Sequence, residues 1–224
     1  TGSYEVIMKK LHILDSTLRD GAQSEGISFS VSDKLHIIQA LDDIGVSYIE
    51  AGNPGSNPKD IEFFNRAAEI PLKNAKLCAF GSTRRKNLKV EEDDNVLSLL
   101  KAKTDTIVIF GKSWDLHIRE ILKTTNEHNL ELVFDTVEFF KKQGKELIFD
   151  AEHFFDGYKS NAACAIAVLE AADKAGADSL CLCDTNGGCN PDEIFRITQE
   201  IVQLFPGRQI GIHCHNDTGC AVAN

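Results

Sequence analysis

An α/β fold, a (β/α)8 TIM barrel, is the class this sequence predicts, on three observations. Short β-branched or apolar runs alternate with amphipathic stretches along the chain. Gly-, Pro- and Asn-rich turns separate them. Polar residues gather at the C-terminal end of nearly every apolar run. Strict alternation of strand and helix means a parallel sheet with crossover helices. No G-x-G-x-x-G follows the first strand, which argues against an open dinucleotide-binding sheet. In a barrel the C-terminal strand ends form one rim, where active sites are built. Asp15, Glu50, Gly81, Gly111, Asp150, Asp184 and His213 would share that rim.

Taken in order, the strand candidates are Leu11–Asp15, Ser47–Gly52, Lys76–Gly81, Thr106–Gly111, Glu146–Asp150, Ser179–Asp184 and Gln209–His213. Helices fill the gaps between them. Ser30 or Ser32 caps the stretch carrying Leu35, Ile38, Leu41 and Ile44, and Gly45 closes it as a C′ glycine does. Asn57-Pro58 and Asn190-Pro191 each set a capping Asn before a Pro suited to the first helical position. Trp114–Gly144 is long enough for two helices, with a break near Asn126–Asn129. Ala162–Ala175 is Ala-rich and stops at Gly176.

The 224 residues are 42% hydrophobic and 26% charged, an ordinary globular composition. A net charge of −10 argues against nucleic acid or an anionic membrane as partner. No apolar run approaches the ~20 residues of a membrane span, and no signal peptide is visible. Seven cysteines, an odd number lying in apolar runs, fit reduced thiols in a cytoplasmic protein. Thr1-Gly2-Ser3 reads as a cloning scar within a lead-in of residues 1–9, and Met8 as a natural start. Residues 10–224 form one barrel domain. With seven strands where a barrel has eight, and ~250 residues typical, the expectation is a barrel stopping after strand seven, its last βα unit absent.

Four segments carry chemistry. In Gly211-Ile212-His213-Cys214-His215-Asn216-Asp217 the two histidines at i and i+2 of an extended chain point the same way. They either reach one ion or are hydrogen-bonded to neighbours at a strand end. Asp15-Ser16-Thr17-Leu18-Arg19-Asp20-Gly21-Ala22-Gln23 packs two carboxylates, an arginine and an amide directly after the first strand. Two His and one Asp would make a facial triad with positions open to substrate. Asp150 and Glu152 alternate onto one face at a strand end, as base, acid or substrate ligand, or simply as charges facing water. In Cys183-Asp184-Thr185-Asn186-Gly187-Gly188 a hydroxyl and glycine amides could hold a carboxylate. Cys181-x-Cys183 with Cys189 is not a zinc site, because no second Cys pair completes it. His12, His36, His117 and His128 have no partner pattern and are structural.

The second of these segments resembles a D-T-T-L-R-D-G-x-Q signature, and His213-Cys214-His215-Asn216-Asp217 resembles an H-x-H-N-D signature. Together they are similar to those of the metal-dependent acyl-CoA Claisen-condensation and lyase barrels. That family includes isopropylmalate synthase, homocitrate synthase, citramalate synthase and 3-hydroxy-3-methylglutaryl-CoA lyase. The resemblance spans Lys10 to Asn224. Gly52–Asp60, Phe110–His117 and Asp150–Ser160 look most like the citramalate-synthase branch. Asp150 and Val108 depart from the isopropylmalate branch, which commonly has a small hydroxyl residue and a histidine there.

The resemblance implies a divalent metal (Mn, Mg or Zn) held by Asp20, His213 and His215 and chelating a 2-oxo acid. It implies that Arg19 meets negative charge on the keto oxygen or the acetyl enolate. Gln23 would hydrogen-bond nearby, Glu152 would stand beside the acetyl group of acetyl-CoA, and Thr185 would grip the 2-oxo acid carboxylate. The resemblance implies a homodimer as well, while Asp150 is expected in the substrate site from its place at the strand end rather than from the resemblance. The activity expected is an acyltransferase of amino-acid biosynthesis joining acetyl-CoA to pyruvate, giving citramalate. Its rivals are an isopropylmalate or homocitrate synthase, a hydroxyacyl-CoA lyase, a metal-dependent hydrolase without CoA chemistry, and a fragment that keeps the fold without activity.

Overall fold

The computed structural model describes residues 11–55 and 58–224. Seven strands lie in one parallel sheet in chain order: β1 (Leu14–Asp15), β2 (Tyr48–Glu50), β3 (Lys76–Ser82), β4 (Thr106–Lys112), β5 (Glu146–Glu152), β6 (Ser179–Asp184) and β7 (Gln209–Cys214). Seven helices alternate with them: α1 (Val31–Ile44), α2 (Pro58–Ala67), α3 (Asp94–Lys101), α4 (Asp115–Glu120), α5 (Asn126–Lys142), α6 (Phe154–Lys174) and α7 (Pro191–Leu204). This is the (β/α) barrel architecture through its seventh strand.

Each strand's two-residue period divides its side chains between two apolar layers. Ile49, Ala79, Ile107, Ile109, Leu147, Phe149, Leu180 and Leu182 face outward into the sheet–helix core, beside Phe63, Val133, Phe140 and Val168. Tyr48, Cys78, Val108 and Ile148 fill the barrel interior, with Leu14, Phe80 and Cys181 packed against them. The interior's lower end is closed by Glu146, which accepts hydrogen bonds from Tyr48 Oη (2.9 Å), Lys76 Nζ (2.8 Å) and Thr106 Oγ1 (2.7 Å). That leaves the upper, C-terminal end for chemistry.

Local signals explain the helix ends. Ser30 caps α1 in a reciprocal box with Asp33, and Gly45 closes it at φ 88°. Such a cap contributes about 1 kcal/mol. Ile44, grouped with the apolar face from sequence, is 76% exposed. Asn190 caps α7 in the same manner, with Pro191 at its first position. The Asn57 cap falls outside the described residues. Asp42 binds the chain returning after α2, accepting from the amides of Lys73, Asn74 and Ala75 at 2.7–2.8 Å.

Three boundaries differ from the sequence expectation by three residues or more, while other strand ends shift by one or two. β1 is two residues long, because Leu11 and Ile13 are exposed, although Ile13 O still accepts from Ser47 N and Tyr48 N. The break after α4 covers residues 121–125, where Thr125 Oγ1 accepts from the His128 amide and starts α5. Helix α6 begins eight residues before Ala162. Phe154 and Phe155, both fully buried, draw the first turn inward, and a non-helical residue, Asn161, joins it to the Ala-rich part.

Candidate active site

The turn after β1 and the end of β7 meet above the barrel interior. Asp20 precedes a single 3-10 turn, Gly21–Gln23, and Ser16 O fixes the loop by accepting from the amides of Arg19 and Gly21, each at 3.1 Å. This aims the Asp20 carboxylate across the rim. Its Oδ2 lies 3.2 Å from His213 Nε2 and 3.1 Å from His215 Nε2. All three ligand atoms fall within 4.8 Å of one another. His213 and His215 share a face because they are two residues apart on extended chain. The hydrogen bond from His213, aided by Arg19 and opposed by burial, holds the Asp20 carboxyl well below the usual range. Asp20 in turn pushes His213 upward. A carboxylate oxygen and two imidazole nitrogens facing one point form the donor set of a facial triad, so these residues fit a divalent cation.

Arg19 is held on two sides. Its Nε donates to Glu50 Oε1 at 2.5 Å, and its guanidinium lies 3.9 Å from the Phe80 ring centroid. Phe80 stacks on Phe110 at 5.2 Å and 17°. Glu50 is 1% exposed. Burial pushes its carboxyl up to about 7 against the opposing pull of Arg19. Breaking a buried pair of this kind leaves an uncompensated charge, costing ~3–5 kcal/mol.

Asp150 is buried on the inner face of β5, and burial raises its carboxyl against the pull of His213 and Arg19. Its oxygen, Cys183 Sγ and His213 form a second close group. Cys189 is not part of that group; its thiol meets Lys159 Nζ at 3.3 Å. Two residues on, Glu152 pairs with Lys112 at the end of β4. Thr185 Oγ1 accepts from the His153 amide at 2.9 Å. Gln23 is exposed on its 3-10 turn and lines a hollow of about 270 Å³ with Arg19, Asn53 and Phe80. Asp20, His213 and His215 therefore form one centre. Arg19 and Asp150 flank it, while Glu152 and Thr185 stand at the adjoining ends of β5 and β6.

Sequence reasoning gave no role to Glu50, Phe80, Lys112 or His153. Parity with Val108 and Phe110 puts Lys112 on the inner face of β4, a signal that was present. The left-handed backbone of His153 has none. His117 packs edge-on against His153 at 4.4 Å and beside Trp114 at 4.8 Å.

Fold and site together define a metal-fitting (β/α)-barrel of the kind whose chemistry sits on the C-terminal rim, and the chain belongs to the HMGL-like family, whose model matches residues 10–224. Its curated relatives include the (R)-citramalate synthase of Aquifex aeolicus, 57% identical over 216 residues, which are 96% of this chain and 41% of the relative. The (R)-citramalate synthase of Geobacter sulfurreducens is 50% identical over 97% of this chain and 41% of its own length. A homocitrate synthase from Saccharolobus islandicus stands further off, at 34% identity over 97% of this chain and 45% of its own. The chain thus spans less than half the length of the curated relatives it matches. Among solved structures, the HMG-CoA lyase of Bacillus subtilis superposes with a TM-score of 0.79 at 23% identity, over 96% of this chain and 72% of that one. At that identity it attests the fold. No helix among the described residues is long and apolar enough to cross a membrane.

Proposed function

We propose that the protein carrying this chain condenses acetyl-CoA with a 2-oxo acid, pyruvate first, and that water then hydrolyses the resulting thioester, releasing citramalate and free CoA. The observation that carries this reading is the convergence of Asp20, His213 and His215 beside the Arg19–Glu50 pair. The (R)-citramalate synthases, at 48–57% identity, support the choice of pyruvate over the longer keto acid of the homocitrate synthases.

Asp20, His213 and His215 would hold a divalent cation, which when bound supplies Lewis acidity toward the keto carbonyl. Arg19 directs a fixed positive charge at the oxygen on which negative charge develops. Such a preorganised donor is worth ~10²–10³ in rate. Glu50 and Phe80 keep the guanidinium from swinging out to solvent. Glu152 stands beside the acetyl methyl, with Lys112 balancing its charge. Thr185 donates its hydroxyl to the 2-oxo acid carboxylate, and Gln23 and Asp150 complete the substrate contacts. We further propose residues 10–224 as the catalytic domain, a cytoplasmic setting and a homodimer.

The test is CoA release, followed with a thiol reagent, from acetyl-CoA and each of pyruvate, 2-oxoisovalerate and 2-oxoglutarate, with Mn²⁺, Mg²⁺ or Zn²⁺. Pyruvate should release CoA fastest, and only with metal present. Release without any 2-oxo acid would indicate a plain hydrolase, and none with any acid would remove the synthase reading.

A further inference from the structure

The peptide unit joining Glu152 to His153 is pinned at both ends. Its carbonyl accepts from the Ser113 amide at 3.3 Å and from Ser113 Oγ at 2.7 Å. Its N–H donates to Thr185 Oγ1 at 2.9 Å. Ser113 follows β4, Glu152 ends β5 and Thr185 follows β6, so one peptide ties three successive strands at the rim.

That tie requires an unusual backbone. His153 sits at φ 56° and ψ 34°, the left-handed region that residues with a Cβ seldom occupy. Its carbonyl accepts from the Gly157 amide at 2.9 Å and so starts α6. Gly157 has no room for a Cβ, which would lie 2.3 Å from Ser113 O. The His153 ring lies 3.4 Å from Asp156 Oδ2, and that oxygen also accepts from Asn186 Nδ2 at 2.9 Å. Strain kept in place by this many contacts is a mark of functional sites.

A hydroxyl that accepts a hydrogen bond still has its own proton to give. Among the described residues the Thr185 hydroxyl has no acceptor of its own. We propose that the left-handed turn at His153 is a positioning device: its N–H fixes Thr185 as a donor toward the 2-oxo acid carboxylate, and the same peptide sets Glu152 opposite. The device rests on the roles of Thr185 and Glu152 proposed above. It uses the backbone of His153, not the imidazole. Tolerance at position 153 then follows ease of entry into the left-handed region: Gly and Asn first, Ala next, Val last.

Steady-state kinetics of the natural, metal-supplied protein test this, varying pyruvate and acetyl-CoA separately. The variants are His153→Gly, His153→Asn, His153→Ala, His153→Val and Thr185→Val, each checked for folding by circular dichroism. Expected is a KM for pyruvate within about threefold of wild type for Gly and Asn, and raised about tenfold or more for Val. Ala should fall between them, which preserves the test if the Val variant does not fold. The KM for acetyl-CoA should stay within about twofold in Thr185→Val and follow the same order as that for pyruvate across the His153 series, since the same peptide sets Glu152. A series with no order, or with Gly as damaging as Ala and Val, while Thr185→Val raises the KM for pyruvate, overturns the His153 device alone. An inert Thr185→Val overturns the parent assignment of Thr185 and the device with it.

Discussion

Arg19 is the residue on which the proposed chemistry depends most, and its surroundings are built for it. A guanidinium is planar and permanently charged, so it accepts a carboxylate on its edge and an aromatic ring on its face. Glu50 and Phe80 occupy those two positions. Arg19→Ala should retain metal binding within a few-fold and lose ~10²–10³ in kcat. A kcat near wild type would remove the arginine from the mechanism. Arg19, Asp20, Gln23, His213 and His215 were legible because they sit in two compact motifs. Glu50 was legible only as a polar strand end, since its pairing with Arg19 spans 31 residues and depends on the register of β1 with β2. Phe80 looked like ordinary core, and its contact with Arg19 exists only once β3 curls toward β1.

At the scale of elements, the connections hold the rim in place. Asp42 at the end of α1 satisfies three backbone amides before β3. Burial pushes its carboxyl up, and the Lys73, Ala75 and Asn74 amides outweigh that, leaving it below the ordinary value. A depressed carboxyl stabilises the fold above its unfolded value of ~3.9, and the contribution fades as pH falls through the folded value. Asp42→Asn should therefore cost ~1–3 kcal/mol at neutral pH. In urea titrations the gap to wild type should hold from pH 8 to about 5 and narrow below about 4. A gap that widened in acid would contradict the assignment. Gly157→Ala forces a methyl onto Ser113 O. It should lower Tm by several degrees, about 1–3 kcal/mol, and an unchanged Tm would show that the first turn of α6 can shift. Element order and type were readable because β-branched runs and capping residues act locally. The early start of α6 was not, because Phe154 and Phe155 continue the apolar character of β5 and only the turn at His153 separates strand from helix.

Across the whole molecule, a parallel sheet in strict chain order brings the first loop and the last strand to one rim, 195 residues apart in sequence. That topology brings Asp20, His213 and His215 together in a chain whose net charge is −10. Locally the rim carries two cations, Arg19 and Lys112, each with its own carboxylate partner. The alternation of strands and helices made the barrel legible. Its interior plug, Glu146 with Tyr48, Lys76 and Thr106, was not, since those residues come from four strands and look like unrelated strand starts.

Asp20, His213 and His215 are proposed as one metal centre that presents a 2-oxo acid to Arg19. Mn²⁺ binding followed by electron paramagnetic resonance, in wild type and His213→Ala and with pyruvate added, tests it most directly. Wild type should bind one Mn²⁺ per chain with a spectrum that pyruvate perturbs, and His213→Ala should lose the bound signal together with CoA release. Undiminished Mn²⁺ binding in His213→Ala, or a wild-type signal indifferent to pyruvate, would contradict it.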